Sequence, residues 1–180
     1  MLSLKRATAL AERLKIHLLG CCEMVEVVGA VRRDEEQTAH LELLVLPRLP
    51  ENDADVRKRL TRLDECLTLL TNDLDTSPFL KLAAPRTDYR MLVVNIPAWQ
   101  VGDVNCRLYV VEQPEEWSSQ LLFHTGPERF VERLVEQAAG RGLELLPHGL
   151  FKGDRQIVVE NEPALFAVLS LRYVDPAQRR

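Results

Sequence analysis

The chain has 180 residues, 46% of them hydrophobic and 28% charged, with a formal net charge of −4. That length and apolar content suit one packed domain or two small ones, while the acidic balance excludes the global attraction for polyanions that a stand-alone duplex binder shows. No stretch is long and apolar enough to span a bilayer, and the charged, amphipathic N-terminus lacks the apolar core of a signal peptide, so a cytoplasmic location is expected.

In chain order, Leu4, Ala7, Leu10 or Ala11, Leu14 and Leu18 recur at helical spacing behind a possible cap at Ser3, and Gly20 can end that helix. Val25 and Val27 alternate with Glu26 as in a half-buried strand, Gly29 opens a tight turn, and Leu41, Leu43 and Val45 define the apolar face of a second strand. His40 and Glu42 must share the opposite face. Pro47 and Pro50 close this strand, and Asn52 or Asp53 can cap a helix in which Val56, Leu60, Leu63, Leu67 and Leu70 form a stripe, read as core, with a dimer seam as the alternative. Segments 79–83, 91–94 and 104–111 read as strands, with Pro85 and Gly102 near the turns. Pro114 to Trp117 reads as a helix start, and Thr125-Gly126-Pro127-Glu128 opens a further helix with Phe130, Leu134 and Ala138 inward, Thr125 and Glu128 fitting a capping box. A domain boundary is expected within residues 112–120.

The four cysteines, Cys21, Cys22, Cys66 and Cys106, lack paired CxxC spacing and are expected to be buried free thiols of a reducing cytosol; a zinc site using Cys21, Cys22 and a distant His is the less favoured reading. The basic clusters Arg32-Arg33, Arg57-Lys58-Arg59 and Arg179-Arg180 read as solvated helix faces or tails.

Several of these pieces together carry a resemblance. Gly29-Ala30 followed by Arg32, Arg33 and the triplet His40-Leu41-Glu42 is similar to the palm segment of family-X DNA polymerases and related nucleotidyltransferases, where a Gly-Ser pair and two arginines precede an Asp-x-Asp or Asp-x-Glu strand. Asp103 to Leu108 resembles the later palm strand whose third metal-binding Asp would fall on Asn105. Leu121 to Gly126 resembles the Leu-Tyr-Phe-Thr-Gly turn of the thumb, Arg141-Gly142-Leu143 with Leu150-Phe151 fits the thumb hairpin, and Glu162 to Arg180 resembles the family's C-terminal ending. The resemblance implies an α+β fold: a polymerase beta-like palm over residues 1–115, with a mixed or antiparallel sheet flanked by helices, and a small thumb over 116–180.

The resemblance also implies a chemistry that the residues alter. Family members use two magnesium ions held by three carboxylates, and magnesium requires anionic oxygens in a strict octahedral shell. The matching positions here offer imidazole at His40, carboxylate at Glu42 and amide at Asn105, so the formal ligand charge falls from three negatives to one. No metal cofactor is therefore expected. A register shift could substitute Asp103, and a set of His40, Glu42 and Asp103 would suit a transition metal better than magnesium.

By the same resemblance Gly29, Ala30, Arg33, Thr125 and Gly126 occupy nucleotide-binding positions, although Ala30 lacks the hydroxyl, Phe123-His124 replaces Tyr-Phe, and Val131 stands where many members have Asn. The competing explanation is structural: Gly126 for backbone freedom, and Arg33 for pairing with Glu35 or Glu36. The first functional expectation is a catalytically degenerate relative serving as a nucleotide, nucleic-acid or protein interaction module, with a protein partner, a nucleic-acid-processing assembly being one candidate, and weak or no independent DNA binding. The alternatives are a nucleotidyltransferase with an altered site using magnesium or manganese, and a structural oligomerising partner.

Overall fold

The computed structural model describes residues 1–49, 55, 58–72, 80–83, 89–95 and 102–179; the sequence-based expectations at Pro50, Asn52, Asp53, Val56, Arg57, Phe79, Pro85 and Arg180 fall outside them. The chain divides into two compact units, Met1–Glu112 and Gln113–Arg180.

The first unit begins with a two-residue strand β1 (Leu2–Ser3) and helix α1 (Leu4–Leu18), followed by β2 (Cys22–Val27), a single helical turn α2 (Gly29–Arg32), β3 (Gln37–Thr38), β4 (His40–Pro47), α3 (Lys58–Asn72), β5 (Leu80–Leu82), β6 (Tyr89–Asn95) and β7 (Asp103–Val110). Its main sheet has the order β2-β4-β7-β6-β5 and is mixed, since β4 and β7 run parallel and the other neighbours antiparallel. Helix α1 buries Ala7, Leu10, Ala11, Leu14 and Leu18, as its spacing predicts, and Ser3 stands at its N-terminus without a side-chain capping bond. Together with Leu63 and Leu67 of α3, these side chains cover the sheet face formed by Val25, Val27, Leu41, Leu43, Val45, Leu92, Val94, Val104, Cys106 and Leu108. The leucine stripe of α3 thus serves the core of its own unit.

Strand β4 departs from simple alternation because Leu44 and Leu46 are buried as well. It sits between two neighbours and pairs in parallel with one of them, an environment that favours a continuous apolar run. In β2 the pairing shifts between Cys22 and Met24, a bulge that leaves Glu23 and Met24 both exposed. Glu23 meets Arg59, whose guanidinium is buried and also donates to the Pro47 carbonyl. Arg59 therefore bridges α3 to the sheet and is not part of a solvated basic face.

The cysteine expectation also needs correction. Cys21 and Cys66 form a disulfide with Cα atoms 6.3 Å apart, and only Cys22 and Cys106 are free, both buried. Three-dimensional proximity decides such pairing, and the partners lie 45 positions apart in the chain.

The second unit contains a 3-10 turn at Pro114–Glu116, α4 (Trp117–Thr125), α5 (Glu128–Ala139), a sheet of β8 (Glu144–Leu146), β9 (Gly149–Lys152) and β10 (Arg155–Ile157), then α6 (Glu162–Val168) and a closing 3-10 turn at Pro176–Gln178. Its core joins Leu122, Phe130, Val131, Leu134, Ala138, Leu145, Leu150, Leu165, Phe166 and Leu169. The expected capping box does not form. Thr125 is the last residue of α4, its hydroxyl donates to the Leu121 carbonyl at 2.6 Å, and Pro127 holds the N-cap position of α5.

The tail is tied down by Arg179, a second basic residue that the sequence places in solvent and the fold buries. Its guanidinium pairs with Glu162 at 2.8 Å, with the side chains 0% and 2% exposed, and donates twice to the Val174 carbonyl at 3.1 Å. The rings of Phe130, Phe166 and Tyr173 lie 5.3 to 5.8 Å from its central carbon, within reach for cation–π attraction. Among the described residues no helix is long and apolar enough to cross a membrane.

Candidate functional site

The apolar alternation of β4 and β7 sends Leu41, Leu43, Val104, Cys106 and Leu108 toward α1 and α3. His40, Glu42, Asn105, Arg107 and Tyr109 consequently share the other face of the sheet. The parallel register sets His40 beside Asn105, Glu42 beside Arg107 and Leu44 beside Tyr109. Strand β6 extends this face, with Tyr89 opposite Tyr109, Met91 opposite Arg107 and Asn95 opposite Asp103.

Glu42 is the centre of the cluster. Its Oε1 accepts the Tyr109 hydroxyl at 2.9 Å and lies 3.6 Å from His40 Nε2 and 3.7 Å from Arg107 Nη1. Its Oε2 faces Gly29: a β-carbon added there would fall 1.9 Å from that oxygen and 2.9 Å from the carboxyl carbon. Gly29 also has φ +65°, so the position needs glycine both for its backbone and for the carboxylate's approach. The Val28 amide donates to the Glu42 carbonyl at 2.9 Å, fixing the β2–α2 junction against β4.

The surroundings favour a charged guanidinium and a neutral phenol. A hydrogen bond with Tyr109 holds Arg107 protonated above the usual arginine range, with the charge of Glu42 adding to it. Burial pushes the Tyr109 hydroxyl above its ordinary value, and the neighbouring Glu42 charge pushes it further. Tyr89 completes the group, stacked edge-on against Tyr109 with centroids 5.9 Å apart and lying 5.7 Å below the Arg107 guanidinium. Most of the negative charge at this locus is thus met by the protein's own donors.

Of the other residues singled out in the sequence, Asn105 is exposed on β7 beside His40. Asp103 is exposed at the strand's start and accepts from Asn95 Nδ2 at 2.6 Å. The β4–β7 register runs unbroken from His40 to Val45, which leaves Asp103 about 13 Å from Glu42 along the strand at a rise of about 3.3 Å per residue. Among the described residues no three His, Cys, Asp or Glu side chains gather as a metal site.

Gly29 and Ala30 open α2, and Arg33 caps its end, its Nε donating to Glu35 at 2.8 Å. In the second unit Thr125 is fully buried, and Gly126 has φ 64° and ψ −150°, a region open essentially only to glycine. Arg107, Tyr109 and Tyr89 were not singled out by sequence reasoning. The signal for the first two is their alternation with Asn105 on β7, which acquires meaning only once the β4–β7 register is known.

Residues 120–180 match the family described as DNA polymerase beta thumb. A crystal structure of Leishmania infantum polymerase beta, a ternary P/T complex, matches 99% of this chain and 76% of its own with a TM-score of 0.78, at 16% sequence identity. No curated protein matches the chain. From its N-terminal helix to its tail the chain therefore has a family-X, polymerase beta-like fold, and its C-terminal third matches that family's thumb.

Proposed function

We propose that this chain is a catalytically degenerate relative of the polymerase beta-like nucleotidyltransferases and works as a non-catalytic interaction module. The observation that carries the reading is the engagement of Glu42, the single carboxylate at the three matched positions, by Tyr109, Arg107 and His40. Two dications held about 3.5 to 4 Å apart need several anionic oxygens to offset their repulsion. One carboxylate already facing a guanidinium is a poor host for even one, since the cation would enter beside a fixed positive charge. His40 and Asn105 add no negative charge, and Asp103 is engaged with Asn95 further along the strand. The residues present do not fit the two-magnesium arrangement.

The partner in this reading is a protein, in keeping with membership of a nucleic-acid-processing assembly. The exposed face of α5 mixes Glu128, Glu132 and Glu136 with Arg129 and Arg133, where a phosphate-tracking helix would carry a basic stripe. The experiment is incorporation of labelled nucleoside triphosphates, with primed DNA and with free acceptors, in magnesium and in manganese. No incorporation above that of the Glu42→Gln protein is expected. Incorporation that Glu42→Gln abolishes would instead establish a nucleotidyltransferase with an altered site.

A further inference from the structure

We propose that Cys21 and Cys66 form a reversible thiol–disulfide latch between the start of β2 and helix α3, closed by a low-molecular-weight disulfide and opened by the corresponding thiol. Cys66 lies partly buried at the edge of the core, whereas Cys21 is 7% exposed. This asymmetry assigns the order of events. On closing, the Cys66 thiolate attacks one sulfur of the small disulfide, forming a mixed disulfide and expelling one small thiolate. The Cys21 thiolate then attacks the Cys66 sulfur, forming the protein disulfide and expelling the second. Two electrons pass to the small disulfide, which leaves as two thiols carrying the two protons lost by the protein. Opening runs the same exchanges backward.

The neighbouring sulfurs keep this exchange to one pair. Cys22 Sγ lies 4.0 Å from Cys21 Sγ, but its side chain is fully buried and burial pushes its thiol up to about 12, so it stays protonated and does not compete. Cys106 is also fully buried, and burial raises its thiol as well.

The helix retains its noncovalent attachments when the latch opens, which is what makes the cycle reversible. Leu63 and Leu67 stay in the core, Arg59 holds the Pro47 carbonyl and Glu23, and Asp64 accepts two hydrogen bonds from Arg90. What opening removes is the covalent closure of a segment spanning 45 positions, running from β2 through β4 to α3. Cys22 pairs with Pro47 and Val27 with Leu43, so the latch lies at the far end of β2 from the Gly29 turn, and the Glu42 cluster does not depend on it.

The test equilibrates the whole folded chain in mixtures of reduced and oxidised glutathione, quenches with acid, unfolds, alkylates and measures intact mass. The expected result is one two-electron step between a form with two alkylated cysteines, mapped to Cys22 and Cys106, and a form with four. Across that step the amides of α3 should exchange about tenfold faster or more in the reduced form, while Tyr109 titrates identically in both. Cys66→Ser should abolish the step and Cys22→Ser should leave it in place. Four free thiols in every mixture, a disulfide that resists excess glutathione in the folded protein, or a pair that maps to Cys22 would each overturn the proposal. The wild-type mapping decides the matter even if a cysteine variant does not fold.

Discussion

The Tyr109 hydroxyl donates to Glu42 Oε1 across 2.9 Å, although the register of β4 and β7 places Leu44, and not Glu42, directly beside Tyr109. The phenol reaches back along the strand past Arg107, and the carboxylate receives a neutral donor and a cation from one neighbouring strand. Removing the hydroxyl with Tyr109→Phe leaves a mostly buried carboxylate short of a donor. The expected loss is about 1.5–3 kcal/mol, the range for hydrogen bonds to charged groups, read from urea midpoints against wild type.

The same contact sets an alkaline limit. Tyrosine ordinarily ionises near 10.0, and burial, then Glu42, raise this hydroxyl above that. The folded state therefore holds the Tyr109 proton more tightly than the unfolded state does. Its contribution to stability is fully present below the unfolded value of 10.0 and is lost as pH rises through the higher folded value. Absorbance titration should show a late ionisation that Tyr109→Phe removes; Glu42→Gln should lower that midpoint but leave it above the ordinary value, since burial is the larger cause. Tyr109→Phe should lose less stability than wild type as pH rises above about 10.

Gly29 and Glu42 should behave as one unit. In Gly29→Ala the methyl group would meet the carboxylate 1.9 Å from Oε2, and alanine would be held at φ +65°. A cost of about 1–3 kcal/mol is expected from backbone strain alone, with the clash in addition. Gly29→Ala should be less damaging in a Glu42→Ala background, so that the double mutant costs less than the sum of the two single substitutions. Strict additivity would show that the carboxylate does not occupy the space beside the turn.

Much of the first unit was legible in its sequence. The spacing of Ala7, Leu10, Ala11, Leu14 and Leu18 gave α1 its buried face, and Leu41, Leu43 and Val45 revealed which side of β4 points inward. Features that depend on distant partners were not legible. Arg59 and Arg179 read as solvated charges because Glu23 lies 36 positions from the first and Glu162 17 from the second. The disulfide left no spacing signature. Local rules could mislead as well, since Thr125 and Glu128 have capping-box spacing but Thr125 closes α4 and Pro127 holds the N-cap of α5. The candidate site was half visible: His40, Glu42 and Asn105 stood out as replacements, but the residues that neutralise Glu42 come from a register that alternation alone does not supply.

Arg179 should be the most sensitive single position in the C-terminal unit. Arg179→Ala leaves the Glu162 carboxylate, 2% exposed, without its cation, with the Tyr173 hydroxyl at 3.4 Å still donating to it, and frees the Val174 carbonyl. Breaking a buried pair in this way costs about 3–5 kcal/mol, whereas replacing both partners, with Arg179→Met and Glu162→Leu, should recover much of it. Thermal melts of the whole chain, with near-ultraviolet dichroism reporting on the aromatic cluster, would measure both.

The most direct test of the central claim is a titration of the wild-type protein with manganese, followed by electron paramagnetic resonance, with and without a nucleoside triphosphate. An engaged Glu42, the single carboxylate at the three matched positions, predicts no saturable uptake by the protein beyond what the nucleotide binds by itself, while a His40→Asp, Asn105→Asp, Arg107→Gln protein should gain a site. Stoichiometric binding of two ions to wild type, lost in Glu42→Gln, would contradict the account.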